Sequence, residues 1–176
     1  IPVIWNSSGY EKPETLKKLD GLVDVFLPDL KFFSKKNAAA FSSAPDYFSV
    51  AVKAIAEMHR QQPKTVLENG RIKQGVLIRH LVLPGMTVES IKILHCIAEK
   101  FPQTPVSVMC QYYPAGRAKE FPPLDRKLKY LEYSLVKKQA KKLGLTGYFQ
   151  EMDSATSVYT PDFSDSGLLD LFFSPR

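Results

Sequence analysis

Residues 76–83, Val-Leu-Ile-Arg-His-Leu-Val-Leu, constrain the fold more than any other stretch of this sequence. A strand that is apolar on both faces has to be covered on both, as a parallel strand between helices is. Three further runs read as strands: residues 1–5, which stop at the turn formers Asn6-Ser7-Ser8-Gly9; residues 22–27, closed by Pro28; and residues 105–110. Helical patterns separate them. Pro13 suits a first helical position, Leu16 and Leu19 share a face, and Gly21 suits the residue past the end, so a short helix is expected over 13–20. Asp46 is the expected cap of a second helix, with Phe48, Val52, Ile55 and Ala56 inward and Pro63 ending it. Thr87 is expected to cap a third, with Val88, Ile91, Leu94, Ala98 and Phe101 as its buried stripe. The longest helix is expected over 124–143, with Leu124, Leu128, Leu131 and Leu135 along one side and Gly144 closing it. Residues 34–43 are expected to be a polar, alanine-rich connection, and 64–73 a loop or a short irregular element.

Four strand–helix units in succession predict an α/β fold with a parallel sheet and right-handed crossovers. A closed eight-unit barrel takes ~250 residues. The expectation is therefore parallel (βα) units forming part of a partial TIM-type barrel, about four strands with flanking helices over 1–150, and a tail over 151–176 packed on it. A small open doubly wound sheet is the alternative, but no GxGxxG and no Walker loop gives it a nucleotide site.

Composition narrows the function classes. Two cysteines, Cys96 and Cys110, exclude a disulfide scaffold and a four-thiolate metal centre, and buried thiols are expected of both. His59 and His80 are expected to be structural. No apolar run approaches the ~18 residues that span a bilayer, and no signal peptide opens the chain, so a cytoplasmic protein without a membrane partner is expected. The formal charge of +6 lies wholly in residues 126–142, where seven Lys or Arg face one acid, Glu132. A solvated amphipathic face is the expected explanation, and nucleic acid is not the expected partner. The alternative function is a small basic α/β module that binds RNA or an acidic partner through 124–143.

In parallel α/β sheets function gathers at the carboxyl ends of the strands. Asp29 and Lys31 follow the second strand and, two apart, share a face. Arg79 stands inside the apolar third strand, and Gln111-Tyr112-Tyr113 follows the fourth. A charge in a buried strand costs on the order of several kcal/mol unless it is paired or serves a ligand. A mutual Asp29–Arg79 pair is one resolution. The other is a mouth for a zwitterionic or carboxylate-bearing small molecule. No nucleophile–base pair accompanies Asp29 and Lys31, which argues against an independent hydrolase or isomerase.

Asn6-Ser7-Ser8-Gly9, Val25-Phe26-Leu27-Pro28-Asp29-Leu30-Lys31 and Ile78-Arg79-His80-Leu81-Val82-Leu83-Pro84-Gly85 occur in that order. They resemble the later motifs of the radical SAM activating enzymes, the pyruvate formate-lyase activating enzyme group, and the resemblance covers most of residues 1–162. It implies a partial (βα)6 barrel, a CxxxCxxC loop holding a [4Fe–4S] cluster and a Gly-Gly-Glu segment meeting S-adenosylmethionine. This sequence has neither motif, so its units correspond to the third to sixth of that barrel. The resemblance thus implies the C-terminal part of a longer protein, in keeping with a start at Ile1, and a chain that is inactive alone. S-adenosylmethionine and the cluster would be cofactors of the full-length parent, with the cluster not bound by this chain.

Carried over by position, Asn6 and Ser7, with Asp29, fall where the family binds the methionine end of S-adenosylmethionine. Asn6 is neutral where the activator has an acidic residue that helps hold a monovalent cation. Lys31 matches a lysine that contacts S-adenosylmethionine, and Arg79 an arginine on the barrel wall. Tyr113 stands where the activator has a histidine; it can donate a hydrogen bond but does not titrate near neutrality. The implied chemistry is reductive cleavage to a 5′-deoxyadenosyl radical that takes hydrogen from a glycine of a partner, a glycyl radical enzyme. The strand 1–5 is expected to present an open parallel edge, covered by the tail or by self-association with a second copy.

Overall fold

A computed structural model describes residues 1–152 of the chain. Its elements are β1 (Ile4–Ser7), α1 (Pro13–Lys17), β2 (Val25–Pro28), α2 (Lys35–Ser42), α3 (Tyr47–Gln61), β3 (Val66–Glu68), β4 (Arg71–Val76), β5 (Ile78–Leu81), α4 (Thr87–Lys100), β6 (Val106–Met109), a 3-10 turn (Gly116–Glu120), α5 (Tyr130–Lys142) and β7 (Gly147–Phe149).

The strands pair in the orders β1-β2-β4-β3 and β5-β6-β7, and every pair is parallel except β3 with β4. The two groups are joined: Leu77 donates its N–H to Phe26 O at 2.9 Å, Leu30 donates to Arg79 O at 2.9 Å, and Asp29 and Arg79 form a parallel bridge. The end of β4 and β5 together therefore occupy one position between β2 and β6. The result is an α/β fold whose parallel sheet runs β1, β2, β4/β5, β6, β7.

Side chains alternate across this sheet. Phe26, Leu30, Ile78, Val106 and Val108 are buried in one core with Leu16, Ile55, Met58, Leu94 and Ile97 of the helices. Each such side chain contributes ~1.5–3 kcal/mol by leaving water. The strand residues of opposite parity, Leu27, Arg79, Leu81 and Met109, stay half-exposed on the other face.

Several expectations are corrected. Residues 34–43 are not a connection but contain α2, whose first turn is capped by Ser34 Oγ accepting from Asn37 N–H at 3.3 Å. Residues 64–73 hold the β3–β4 hairpin, turned at Asn69-Gly70 with φ of 50° and 73°; an Asn-Gly pair favours that mirror-image turn. The expected strand 76–83 is split at Leu77. The helix expected over 124–143 starts only at Tyr130, and at 13 residues is shorter than the 15 of α3. Its buried side is Tyr133, Val136 and Ala140; of the expected leucine stripe Leu124 and Leu128 are buried ahead of the helix, while Leu131 and Leu135 on it are 67% and 46% exposed. Glu132 sets this start, because its carboxylate accepts the Lys129 N–H in the first turn.

On α3 and α4 the expected Ile55, Leu94 and Phe101 are buried and Phe48, Val52 and Ala98 pack against the core, but the stripes differ in part. On α3 the fully buried residues are Tyr47, Ala51, Ala54, Ile55, Glu57 and Met58, and Ala56 is exposed. On α4 they are Ser90, Ile93, Leu94, Cys96 and Ile97, and Val88 is exposed. Neither Asp46 nor Thr87 makes a side-chain cap; the Asp46 carboxylate accepts the Tyr10 hydroxyl instead. A fifth parallel strand, β7, follows α5 where a tail was expected to begin soon after. From residue 153 that tail lies outside the described residues, as does any covering of β1 by it. Among the described residues β1 pairs with β2 alone, and no helix is long and apolar enough to cross a membrane.

Candidate functional site

Register places the polar residues of the half-exposed face. Asp29, Arg79, Ser107 and Tyr148 are successive partners in one row across four strands. Lys31, two residues beyond Asp29, stands in the next row toward the carboxyl ends, with Leu81 and Met109. There a cavity of about 440 Å³ opens, lined by Asp29, Lys31, Arg79 and Gln111 between walls that include Phe41 and Met109.

The Asp29–Arg79 pair that the sequence allowed is formed: Asp29 Oδ1 lies 2.8 Å from Arg79 Nε and 2.6 Å from Nη2. Lys31 Nζ lies 3.3 Å from Asp29 Oδ2. The side chains are 15% (Asp29), 24% (Arg79) and 42% (Lys31) exposed, so the carboxylate is the sheltered centre and the two cations open toward the cavity. Two cations on one anion leave one positive charge and several free N–H donors. Such a set suits a single anionic group better than a cation.

Tyr47 of α3 fixes the strand ends beneath this cluster. Its hydroxyl accepts the Lys31 N–H at 3.1 Å and lies 2.8 Å from the carbonyls of Ser8 and Asp29, tying the ends of β1 and β2 together. Burial pushes this phenol well above its ordinary value, so it stays protonated as a donor. Gly9 is required at the turn after β1: its φ is +77°, and a Cβ there would stand 2.3 Å from Asp29 O. From α4, Glu89 Oε1 accepts the N–H groups of Phe33 and Ser34 at 2.8 and 2.6 Å and holds the chain just past Lys31. His80 faces the helices, with Nδ1 2.8 Å from Leu30 O; burial lowers its pKa, so the neutral ring donates from Nδ1, a structural role.

Of the six residues singled out in the sequence, Asp29, Lys31 and Arg79 come together. Asn6 pairs in register with Leu27, on the face of Asp29 but a row below, and is exposed outside the cavity. Ser7 is on the other face, its Oγ accepting the Gly9 N–H at 3.2 Å. Tyr113 is two residues past Gln111 and does not line the cavity; its ring lies 5.5 Å from Lys127 Nζ. Gln111 stands in the polar run expected after the fourth strand, and Tyr47 was missed. A tyrosine in a helix carries no local signal for such a role, since its partners are far away in sequence.

Cys96 and Cys110 are buried and free, with burial raising both thiols. Among the described residues no three His, Cys, Asp or Glu side chains are grouped to hold a metal. In the basic segment Arg126 pairs with Glu132 at 2.8 Å and Lys137 with Glu151 at 2.9 Å. A larger cavity of about 760 Å³, lined by Phe33, Phe48, Val88 and Ile91, lies on the helices away from the strand ends.

No protein-family model matches the chain. It is 34% identical over 146 residues to an uncharacterized protein of Methanocaldococcus jannaschii, an alignment covering 82% of this chain and 39% of that protein. The chain thus spans about two-fifths of the length of this relative.

Proposed function

We propose that this chain is part of a radical SAM protein resembling the glycyl-radical-enzyme activases, in which it supplies one wall of a partial TIM-type barrel and holds the methionine end of S-adenosylmethionine. The observation that carries this reading is the Asp29–Lys31–Arg79 cluster at the carboxyl ends of a parallel sheet, on its half-exposed face. The free N–H groups of Lys31 and Arg79 suit the methionine carboxylate. Asp29 keeps acceptor capacity beyond its two ion pairs, because an ionised carboxylate has about four lone-pair sites, and that suits the ammonium group.

An iron–sulfur cluster does not fit this chain. Its two cysteines lie apart, on α4 and just past β6, both buried. Such a cluster would be held by residues of the parent protein outside these 176. When bound in such a parent, the cofactor pair supplies hydrogen abstraction from a glycyl radical enzyme. The relative's greater length is compatible with such a parent.

The test is calorimetric titration of the chain with S-adenosylmethionine and with 5′-methylthioadenosine, which lacks the amino-acid end. Arg79→Met and Lys31→Ala are each expected to weaken S-adenosylmethionine at least tenfold and to leave 5′-methylthioadenosine unchanged. The gene is expected to encode CxxxCxxC upstream, and the longer protein to release 5′-deoxyadenosine under reducing, anaerobic conditions. A chain that does not bind S-adenosylmethionine, or an upstream sequence without that motif, refutes the reading.

A further inference from the structure

We propose that Gln111 is the specificity-determining donor of the Asp29–Lys31–Arg79 cavity, locked in that role by Gln150, and that the group it selects is a carboxylate. The proposal rests on the reading of this cavity as the ligand site. The orientation of both amides follows from one unambiguous donor. Cys110 N–H, which can only donate, meets Gln150 at 3.0 Å, so the atom facing it is the carbonyl oxygen Oε1. The Gln150 amide nitrogen is thereby turned to Gln111, 2.6 Å away, and its partner there has to be the Gln111 oxygen. With that oxygen engaged, what Gln111 has left to offer is its NH2 group.

Gln150 itself is fixed by the sheet. Its N–H donates to Val108 O at 3.2 Å, continuing the β6–β7 pairing, and its carbonyl accepts the buried Tyr133 hydroxyl at 2.7 Å. The residue past β7 thus decides which end of a side chain past β6 is free for the cavity. Gln111 lines that cavity with Lys31 and Arg79, so three side chains offer donors there, against the acceptors Asp29 and the Ser42 hydroxyl, whose proton goes to Ala38 O at 2.8 Å. The cavity's single surplus positive charge matches a monoanion, and the walls, including Phe41, Leu81 and Met109, match an apolar body on it. A carboxylate on such a body meets both requirements, whereas a phosphate dianion exceeds the charge.

The experiment titrates the 176-residue chain with phenylacetate and its neutral isostere phenylacetamide, by calorimetry and through the side-chain amide NMR signals. Wild type is expected to bind phenylacetate at least tenfold more tightly, with the Gln111 amide protons shifting on binding. In Gln150→Glu the new carboxylate accepts both from Cys110 N–H and from the Gln111 NH2 group. Gln111 then turns its carbonyl to the cavity, and the preference is expected to fall at least tenfold. The added charge also repels phenylacetate directly, so the same change is made in a Gln111→Ala background. There the fall is expected to shrink several-fold, leaving only the direct charge effect. Equal falls in both backgrounds, or no phenylacetate binding to wild type, overturn the proposal. Failure of S-adenosylmethionine to bind while these ratios hold refutes the radical SAM reading alone; unchanged ratios with S-adenosylmethionine still binding refute this one alone.

Discussion

The Tyr47→Phe substitution removes one oxygen atom from beneath the site and nothing else. The ring contacts of Tyr47, edge-on to Phe32 at 5.7 Å and stacked on Tyr10 at 5.9 Å, are kept by phenylalanine. What is lost is the acceptor for the Lys31 N–H and the single proton offered to the Ser8 and Asp29 carbonyls. Two hydrogen bonds at ~1 kcal/mol each, plus a small penalty for the Lys31 N–H left without a partner, give a loss of about 2–3 kcal/mol. For a domain of this size 1 kcal/mol moves the melting temperature by ~2–4 °C, so a fall of about 5–10 °C is expected. Urea unfolding followed by circular dichroism measures it, with an unchanged m-value marking a pure stability effect. The pH dependence adds an independent check. Because burial raises the folded phenol above its unfolded value of 10.0, its contribution is complete below pH 10 and falls as pH rises beyond it. That part of the alkaline fall is expected to vanish in Tyr47→Phe. A variant with the wild-type midpoint and the wild-type alkaline profile refutes the assignment of Tyr47 as the tie between β1 and β2.

Two further perturbations test the frame around the site. Glu132 accepts from Gly85 N–H at 2.6 Å and from Lys129 N–H at 2.9 Å and pairs with Arg126, and these partners hold its carboxyl down at about 2 against an ordinary 4.5. Screening at the one-third-exposed Arg126 reduces the effect, so about 1–2 kcal/mol of stability is expected above pH 4.5, lost as pH falls toward 2. Glu132→Gln is expected to lower stability at pH 7 by that amount and to flatten the acid limb, as read by thermal melts from pH 2 to 7. Gly147 has φ +130°, and a Cβ there would stand 2.1 Å from Val106 O. Gly147→Ala is therefore expected to cost at least ~3 kcal/mol by pushing β7 off β6. Gly144→Ala, also at positive φ (+71°) but with open space around it, is expected to cost only ~1 kcal/mol. Equal melting temperatures for the two would refute the close β6–β7 approach.

The sequence by itself determined the α/β class and the face that carries the charges. The run at 76–83, apolar on both sides and set among alternating helical patterns, points to a parallel strand under helices, and the two-residue spacing of Asp29 and Lys31 puts both on one side of the chain. It also contained signals that went unused: Ser34 ahead of an alanine run for α2, and Asn69-Gly70 for the β3–β4 hairpin. These are local, and local rules suffice for them.

Other features were decided by the tertiary structure alone. The leucine spacing over 124–135 is helical in pattern, yet α5 begins at Tyr130 because Glu132 is held by Arg126, Lys129 and the backbone of distant Gly85. The Asp29–Arg79 contact spans fifty residues and exists because β5 lies beside β2. Tyr47 and Gln111 act only through groups that pairing and packing bring to them, and no window of sequence contains both sides of such a bond. Periodicity fixes which way a side chain faces; only the assembled sheet fixes what it meets there.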